Sequence, residues 1–182
     1  DLHRRRHSFP TRRSSDLTYY TAMYAVDKKS HAFGLGDRLP WSGAKTDLEM
    51  LFMEIEKSDI VLLTRNMIKT IPNSFFDEIK NKVQIVSQEN SIESFYIDDK
   101  YKGSDILILG GHSLFQKCID YNIPDKIIVN ELSFMEKDIL DWDCIGPRIN
   151  DNYIKKDFNV IYPKEKSNHG KYVIESILYK RV

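Results

Sequence analysis

Among these 182 residues, three places combine residue type and spacing in ways that suit chemistry. The first is Ile106-Leu107-Ile108-Leu109-Gly110-Gly111-His112-Ser113-Leu114-Phe115, a strand pattern that runs through two glycines into a helix pattern. Glycine lets the backbone approach a ligand, and the free N–H groups and positive dipole end of a helix suit a phosphate. The same letters also fit a plain tight strand-to-helix turn, and no Walker motif is present. The second is Thr64-Arg65-Asn66, after another apolar run. There an Arg suits the extra phosphate that separates NADP from NAD, or simply a solvated loop. The third is Asp47, on the margin of a helical apolar stripe. Taken alone it reads as a first-turn residue that favours the helix dipole, but the nearby Trp41 and Phe52 supply an apolar wall. Such a wall raises a carboxyl pKa and strengthens pairing to a cationic ligand edge.

Other constellations are weak. Gly34-Leu35-Gly36 lacks the third glycine of a dinucleotide fingerprint, and Pro40-Trp41 blocks an immediate helix. His31, His112 and His169 are scattered, with no inferable Ser-His-Asp arrangement. Cys118 falls on the stripe Leu114, Phe115, Cys118, Ile119 and reads as core. Cys118 and Cys144 are the only thiols, without Cys-x-x-Cys or paired His spacing, so the sequence predicts neither a disulfide framework nor a metal site.

The elements that must position these residues follow from hydrophobic patterning. Residues 19–26 form a β-favouring run, and residues 30–41 form a loop punctuated by Gly34, Gly36 and Pro40. Thr46-Asp47-Leu48-Glu49 has the form of a capping box, and Leu48, Leu51, Phe52 and Ile55 recur at helical spacing behind it. Runs at 60–63, 83–86, 106–109 and 126–129 suit strands buried on both faces. Helical stretches at 66–71, 91–96 and 112–121 lie between them. The β-α-β-α order predicts an α/β fold with a mostly parallel central sheet flanked by helices. Residues 158–162 and 172–179 flank the turn-rich Ser167-Asn168-His169-Gly170, which predicts a C-terminal antiparallel hairpin. With no repeat, linker or second core, residues 18–182 read as one domain.

Composition supports a single soluble domain: 41% of residues are apolar, 12% aromatic and 30% charged. No apolar run is long enough to cross a bilayer and neither end has signal-peptide order, which predicts a cytoplasmic protein. Residues 1–17, DLHRRRHSFPTRRSSDL, clash with the rest and lack periodicity. They fit a disordered basic arm or a targeting tail, but the string resembles a translation of a short-read sequencing adapter. On that reading it is non-native and the natural start has been lost. The full chain balances 27 basic against 27 acidic residues. Without the segment's five Arg and two Asp, 22 basic face 25 acidic residues, a net charge of −3. The argument for a nucleic-acid partner goes with it.

Taken together, Ala25-Val26-Asp27, the string FGLGDRLPW from Phe33 to Trp41, Asp47, and LGGHSLF from Leu109 to Phe115 resemble dihydrofolate reductase. FGLGDRLPW followed by Lys45-Thr46-Asp47-Leu48 is similar to the tailed-bacteriophage branch of that family. The resemblance implies NADPH-dependent reduction of 7,8-dihydrofolate to tetrahydrofolate, an activity of one-carbon metabolism, with hydride transfer to C6 and protonation at N5. It implies that Asp47 is the acid bonded to the pteridine, with Trp41 on the active-site loop and Asn130 where the family has a hydroxyl residue linked through water to the acid. Met23, Leu51 or Phe52, Ile71 and Leu109 would wall the substrate. Gly110, Gly111, His112, Ser113 and Leu114 would form the pyrophosphate site, with Phe115 at the nicotinamide. Ala25, Gly34 and Leu39 would complete the cofactor side. Thr64, Arg65 and Asn66 would take the 2′-phosphate region, helped by Ser87 or Gln88.

The sequence also departs from the family pattern. Gly-Arg-x-Thr after the second strand is here Thr64-Arg65-Asn66-Met67. The Arg that clamps the glutamate carboxylate of folate is missing between Glu78 and Val83, leaving Lys80, Asn81 or Lys82 to substitute with a point charge at best. Two further readings stay open. One is a reductase of another pterin or of a riboflavin-pathway intermediate; the other is a phage structural or binding protein that keeps the fold.

Overall fold

The protein is described here by a computed structural model covering residues 18–36 and 38–182. The segment 1–17, expected to be adapter-derived, lies outside the described residues.

Strand β1 (Tyr19–Asp27) is the centre of a seven-stranded sheet, and all but two of its residues are buried. It pairs in parallel with β5 (Asp105–Gly110) on one side and β6 (Lys126–Phe134) on the other. Beyond β5 lie β3 (Ile60–Thr64) and β4 (Val83–Val86), both parallel. β3 and β5 are buried as their apolar runs predict, since β-branched residues suit a pleated surface covered on both faces, whereas β4 is the edge strand and all four of its residues are only half-buried. On the far side β9 (Tyr172–Arg181) runs antiparallel to β6, and β8 (Tyr153–Ile161) closes the edge antiparallel to β9. The order is β4-β3-β5-β1-β6-β9-β8, five parallel strands finished by an antiparallel hairpin.

The helices follow the expected crossovers. Helix α5 (His112–Asp120) buries the stripe Leu114, Phe115, Cys118 and Ile119. Helix α2 (Arg65–Thr70) is capped by the Thr64 side chain, and α4 (Ile92–Ile97) by that of Ser91. Helix α3 (Asn73–Ile79) was not expected from the sequence, nor was the small pair formed by β2 (Ala32–Gly34) and β7 (Cys144–Ile145).

Helix α1 (Lys45–Lys57) corrects two expectations. It begins before Thr46, its N-cap Ala44 makes no side-chain bond, and the Thr46 hydroxyl turns instead to Glu165. The capping box is therefore not formed. Its buried face runs through Asp47, Met50, Leu51 and Ile55, spaced at three to four residues; Leu48, about 20° beyond Ile55 on the helical wheel, falls at the margin of that face and is 43% exposed. Three apolar clusters result. One packs α5 on the sheet, one packs α1 and α3 around β3 and β5, and a third joins Trp41 to Leu132, Ile139, Tyr172 and Ile174. No helix among the described residues is long and apolar enough to cross a membrane.

Candidate active site

A cleft of about 1150 Å³ opens at the carboxyl edge of the parallel strands, the edge at which ligands bind in open α/β sheets. Ala25 near the end of β1, Thr64 at the end of β3, and Leu109 and Gly111 at the end of β5 reach it, as does Asn130 on β6. Helix α1 contributes Asp47 and Leu51, α2 contributes Asn66, and the loop before α1 contributes Leu39, Pro40 and Trp41.

Asp47 is half-buried, and its Oδ1 accepts a 2.8 Å hydrogen bond from Nδ2 of Asn130. Asn130 is fully buried, and the same amide points a second hydrogen at the Met50 sulfur, 3.8 Å away. Burial pushes the Asp47 carboxyl up to about 6, against the smaller lowering effect of the Asn130 bond. A carboxyl poised there changes charge near neutrality, as a proton-handling group must. Two buried polar atoms on residues that line the cleft have no partner within the protein, Nε1 of Trp41 and Oδ1 of Asn130. A donor and an acceptor of this kind suit a heteroaromatic ligand that carries both.

Asp47 therefore sits on one wall, while the glycine turn between β5 and α5 forms another. Gly110 has φ +120°, and a Cβ there would fall 2.6 Å from the Phe115 ring, so only glycine fits. Gly111 donates its N–H to Thr64 Oγ1 at 3.3 Å, and a Cβ on it would lie 3.5 Å from that oxygen. Thr64 also caps α2, which brings the starts of α2 and α5 side by side at the cleft. Gly111 caps α5 without a side-chain bond, so the first-turn N–H groups of α5 are free for an anion. Beside them Phe33 meets His112 edge-on at 5.8 Å and Phe115 at 6.1 Å, and Tyr24 lies 5.2 Å from Phe115. These glycine, aromatic and helix-start features fit a dinucleotide laid along the sheet edge.

The structure brings most of the sequence-predicted residues to this cleft. Met23, Ala25, Gly34, Leu39 and Trp41 line it, as do Asp47, Leu51, Thr64, Asn66 and Ile71. Leu109, Gly111, His112, Ser113, Phe115 and Asn130 complete the predicted set found there. Others lie off the wall. Phe52 packs instead on Phe75, with ring centroids 4.0 Å apart. Leu114 turns into the core behind α5, Gly110 is buried beneath Phe115, and Arg65 is exposed at the start of α2. Ser87 forms a local turn with Asn90, and Gln88 is exposed beside it.

The expected substitutes for a tail clamp are also displaced. Lys82 donates to the carbonyls of Ile55 and Glu56 at the end of α1, Lys80 pairs with Asp77 at 3.7 Å, and Asn81 is exposed. The cleft-lining cations are Arg38, Lys69 and Lys137, none of them singled out from the sequence. Phe33, Asn168 and His169 were likewise missed as lining residues. Phe33 opens the FGLGDRLPW string, so its neighbours there are the sequence signal for it. The other two reach the cleft only because the β8–β9 turn folds back. Among the described residues no cluster of three or more His, Cys, Asp or Glu could hold a metal ion.

The sheet order and the carboxyl-edge cleft define a dihydrofolate reductase-like α/β fold. The comparison with solved structures supports that class: a dihydrofolate reductase from Enterococcus faecalis, solved with NADP(H) and RAB-propyl, superposes with a TM-score of 0.64. That match has 21% sequence identity and covers 90% of this chain and 96% of the other. No family model matches the chain, and no curated protein matches it.

Proposed function

We propose that the chain is an NADPH-dependent reductase of 7,8-dihydrofolate. The observation that carries this reading is Asp47, a carboxyl bonded to Asn130 and raised to about 6, lining the same cleft as Gly111 of the glycine turn. The Enterococcus protein of the same fold is described as a dihydrofolate reductase in complex with NADP(H), which supports the same class of ligand here.

On this reading the nicotinamide, when bound, supplies the hydride that reduces the C6–N5 bond of dihydrofolate. Asp47 bonds the pterin amino edge and N3 and favours the proton at N5. Asn130 holds Asp47 in register through the 2.8 Å bond and leaves Oδ1 for ligand or solvent. Trp41, only 4% exposed, and Leu39 beside it exclude water from the reacting ring. Met23, Leu51, Ile71 and Leu109 supply the apolar walls. The free N–H groups of His112, Ser113 and Leu114 at the start of α5 take the pyrophosphate. Thr64, Arg65 and Asn66 take the 2′-phosphate region, and exposed Arg65 is free to swing to it.

A reductase of another pterin-like substrate is the second reading, favoured by one observation. Lys80 and Lys82 of the 80–82 segment are engaged elsewhere, with Asp77 and the end of α1, so that segment offers the tail of folate no arginine fork, and the α2 wall offers only the point charge of Lys69.

The deciding experiment is loss of NADPH absorbance on adding dihydrofolate, with Asp47→Asn alongside. Turnover should fall by roughly 10²–10⁴-fold in the variant. NADPH affinity should change by less than about threefold, because Asp47 faces the pterin. Equal turnover in both proteins would remove Asp47 from the reaction. NADPH binding with no turnover in the wild type would favour the second reading.

A further inference from the structure

The β8–β9 connection, residues 162–171, touches the segment that carries Trp41 and Asp47 at three points. At the first, Ser42 donates its N–H to Asn168 Oδ1 at 2.8 Å, and Asn168 returns its own N–H to the Ser42 carbonyl at 2.9 Å. At the second, Gly43, with φ +80°, lies so close that a Cβ would stand 3.4 Å from Ser167 Cα. At the third, Glu165 grips the first turn of α1. Its Oε1 accepts the Thr46 N–H at 2.7 Å and its Oε2 accepts the Thr46 hydroxyl at 2.9 Å. Tyr172 on β9 donates its hydroxyl to the same carboxylate.

A helix begins with unsatisfied N–H groups, usually met by a side chain at its own N-cap. Helix α1 has Ala44 there and no such bond, so the carboxylate of Glu165, 119 residues away in sequence, satisfies one of those donors instead. The residue it grips immediately precedes Asp47. We infer that Glu165 is a positioning residue for Asp47, a cap delivered from the β8–β9 turn that fixes the first turn of α1 and holds the Asp47 carboxyl against Asn130. The inference rests on the reading of Asp47 as the reacting acid and adds the part of the chain that keeps it in place.

The charge distribution supports this role. Burial raises the Glu165 carboxyl, but the bonds from Tyr172 and Thr46 prevail and hold it down at about 2, so it stays an anionic acceptor across the working range. Its neighbour Lys166 is turned away to Glu136 at 3.5 Å, which leaves Thr46 and Tyr172 as the groups facing it.

The test compares wild type, Glu165→Ala and Glu165→Gln by titrating the Asp47 carboxyl carbon by NMR, together with kcat, KM and NADPH Kd. In Glu165→Ala the first turn loosens, Asp47 gains water, and its midpoint should fall from about 6 by roughly one unit toward the ordinary carboxyl range. Turnover should drop about tenfold with NADPH Kd unchanged. In Glu165→Gln the amide oxygen still accepts the Thr46 N–H, and the midpoint should stay within about 0.3 units of wild type. An unchanged Asp47 midpoint in Glu165→Ala would overturn the inference. So would an equal fall in both variants, since that would mark an effect of charge rather than position. Absent turnover in the wild type would count against the proposed reaction, whereas the carboxyl titration decides the positioning role without it.

Discussion

Asp47 shows how one carboxyl couples stability to pH. Its folded-state value of about 6 lies above the usual range, so the folded protein holds this proton more tightly than the unfolded chain does. The stability gained from that proton is complete at low pH and is lost as pH rises through about 6, where the half-buried group must ionise against poor solvation. Asp47→Asn removes that cost and keeps an oxygen for the Asn130 bond. It should therefore be more stable than wild type above pH 7, by on the order of 1–2 kcal/mol after allowing for partial exposure, and the gap should close near pH 4. Urea melts at both pH values check this, and a gap that grows at low pH would reverse the assignment. The hydride-transfer rate should likewise decline as pH rises through about 6 in wild type and stay flat in the small residual activity of the variant. The marginal burial of Asp47 could be read from helical spacing alone. Its partner could not, because Asn130 lies 83 residues away; only the family resemblance points to it, and it implies a link through water where the structure has a direct 2.8 Å bond.

At the scale of elements, the glycine turn gives a sharp comparison. Gly110 and Gly36 both have positive φ, +120° and +63°, but only Gly110 has a ring where a side chain would go. Gly36→Ala should cost about 1 kcal/mol of backbone strain. Gly110→Ala adds a clash 2.6 Å from a buried aromatic carbon and should cost roughly 3 kcal/mol or more, with weaker nucleotide binding as the start of α5 shifts. Denaturation of the two variants side by side separates the terms, and equal losses would mean that Phe115 yields freely. The strands were legible because runs such as 60–63 and 106–109 are apolar throughout, the mark of burial on both faces. Helix α3 was not, because Pro72 reads as a stop for α2. It stands directly before Asn73, where a fixed φ also starts a helix, and Phe75, Phe76 and Ile79 behind it carry the helical spacing that marks this. The α1 cap is hidden for the opposite reason. Thr46 has the letters of a local cap, but a stronger acceptor reaches it from the β8–β9 turn.

At the scale of the whole molecule, the cleft ties together parts of the chain that sequence order keeps apart. The central strand β1 finds its neighbours β5 and β6 more than 80 residues on, and β9 enters between β6 and β8. The cleft then takes residues from four of the five parallel strands or their ends, from α1 and α2, and from the β8–β9 turn. A ligand that spans it must stabilise the fold globally, since most elements have to separate before the site is lost. NADPH at 100 times its Kd should add about 2.7 kcal/mol, a rise of roughly 5–10 °C in Tm for a chain of this size. If Thr64, Arg65 and Asn66 hold the 2′-phosphate as proposed, NADH at the same concentration should raise Tm less by the margin of that contact. In Arg65→Ala the NADPH shift should shrink toward that of NADH, while the NADH shift itself stays put, because exposed Arg65 is not part of the cleft wall that both cofactors share. Thermal melts of the two proteins with each nucleotide give the four shifts. If Arg65→Ala leaves the NADPH shift at its full size, the phosphate is held elsewhere on the rim, and the cleft-lining Arg38 and Lys69 are the cations to replace next.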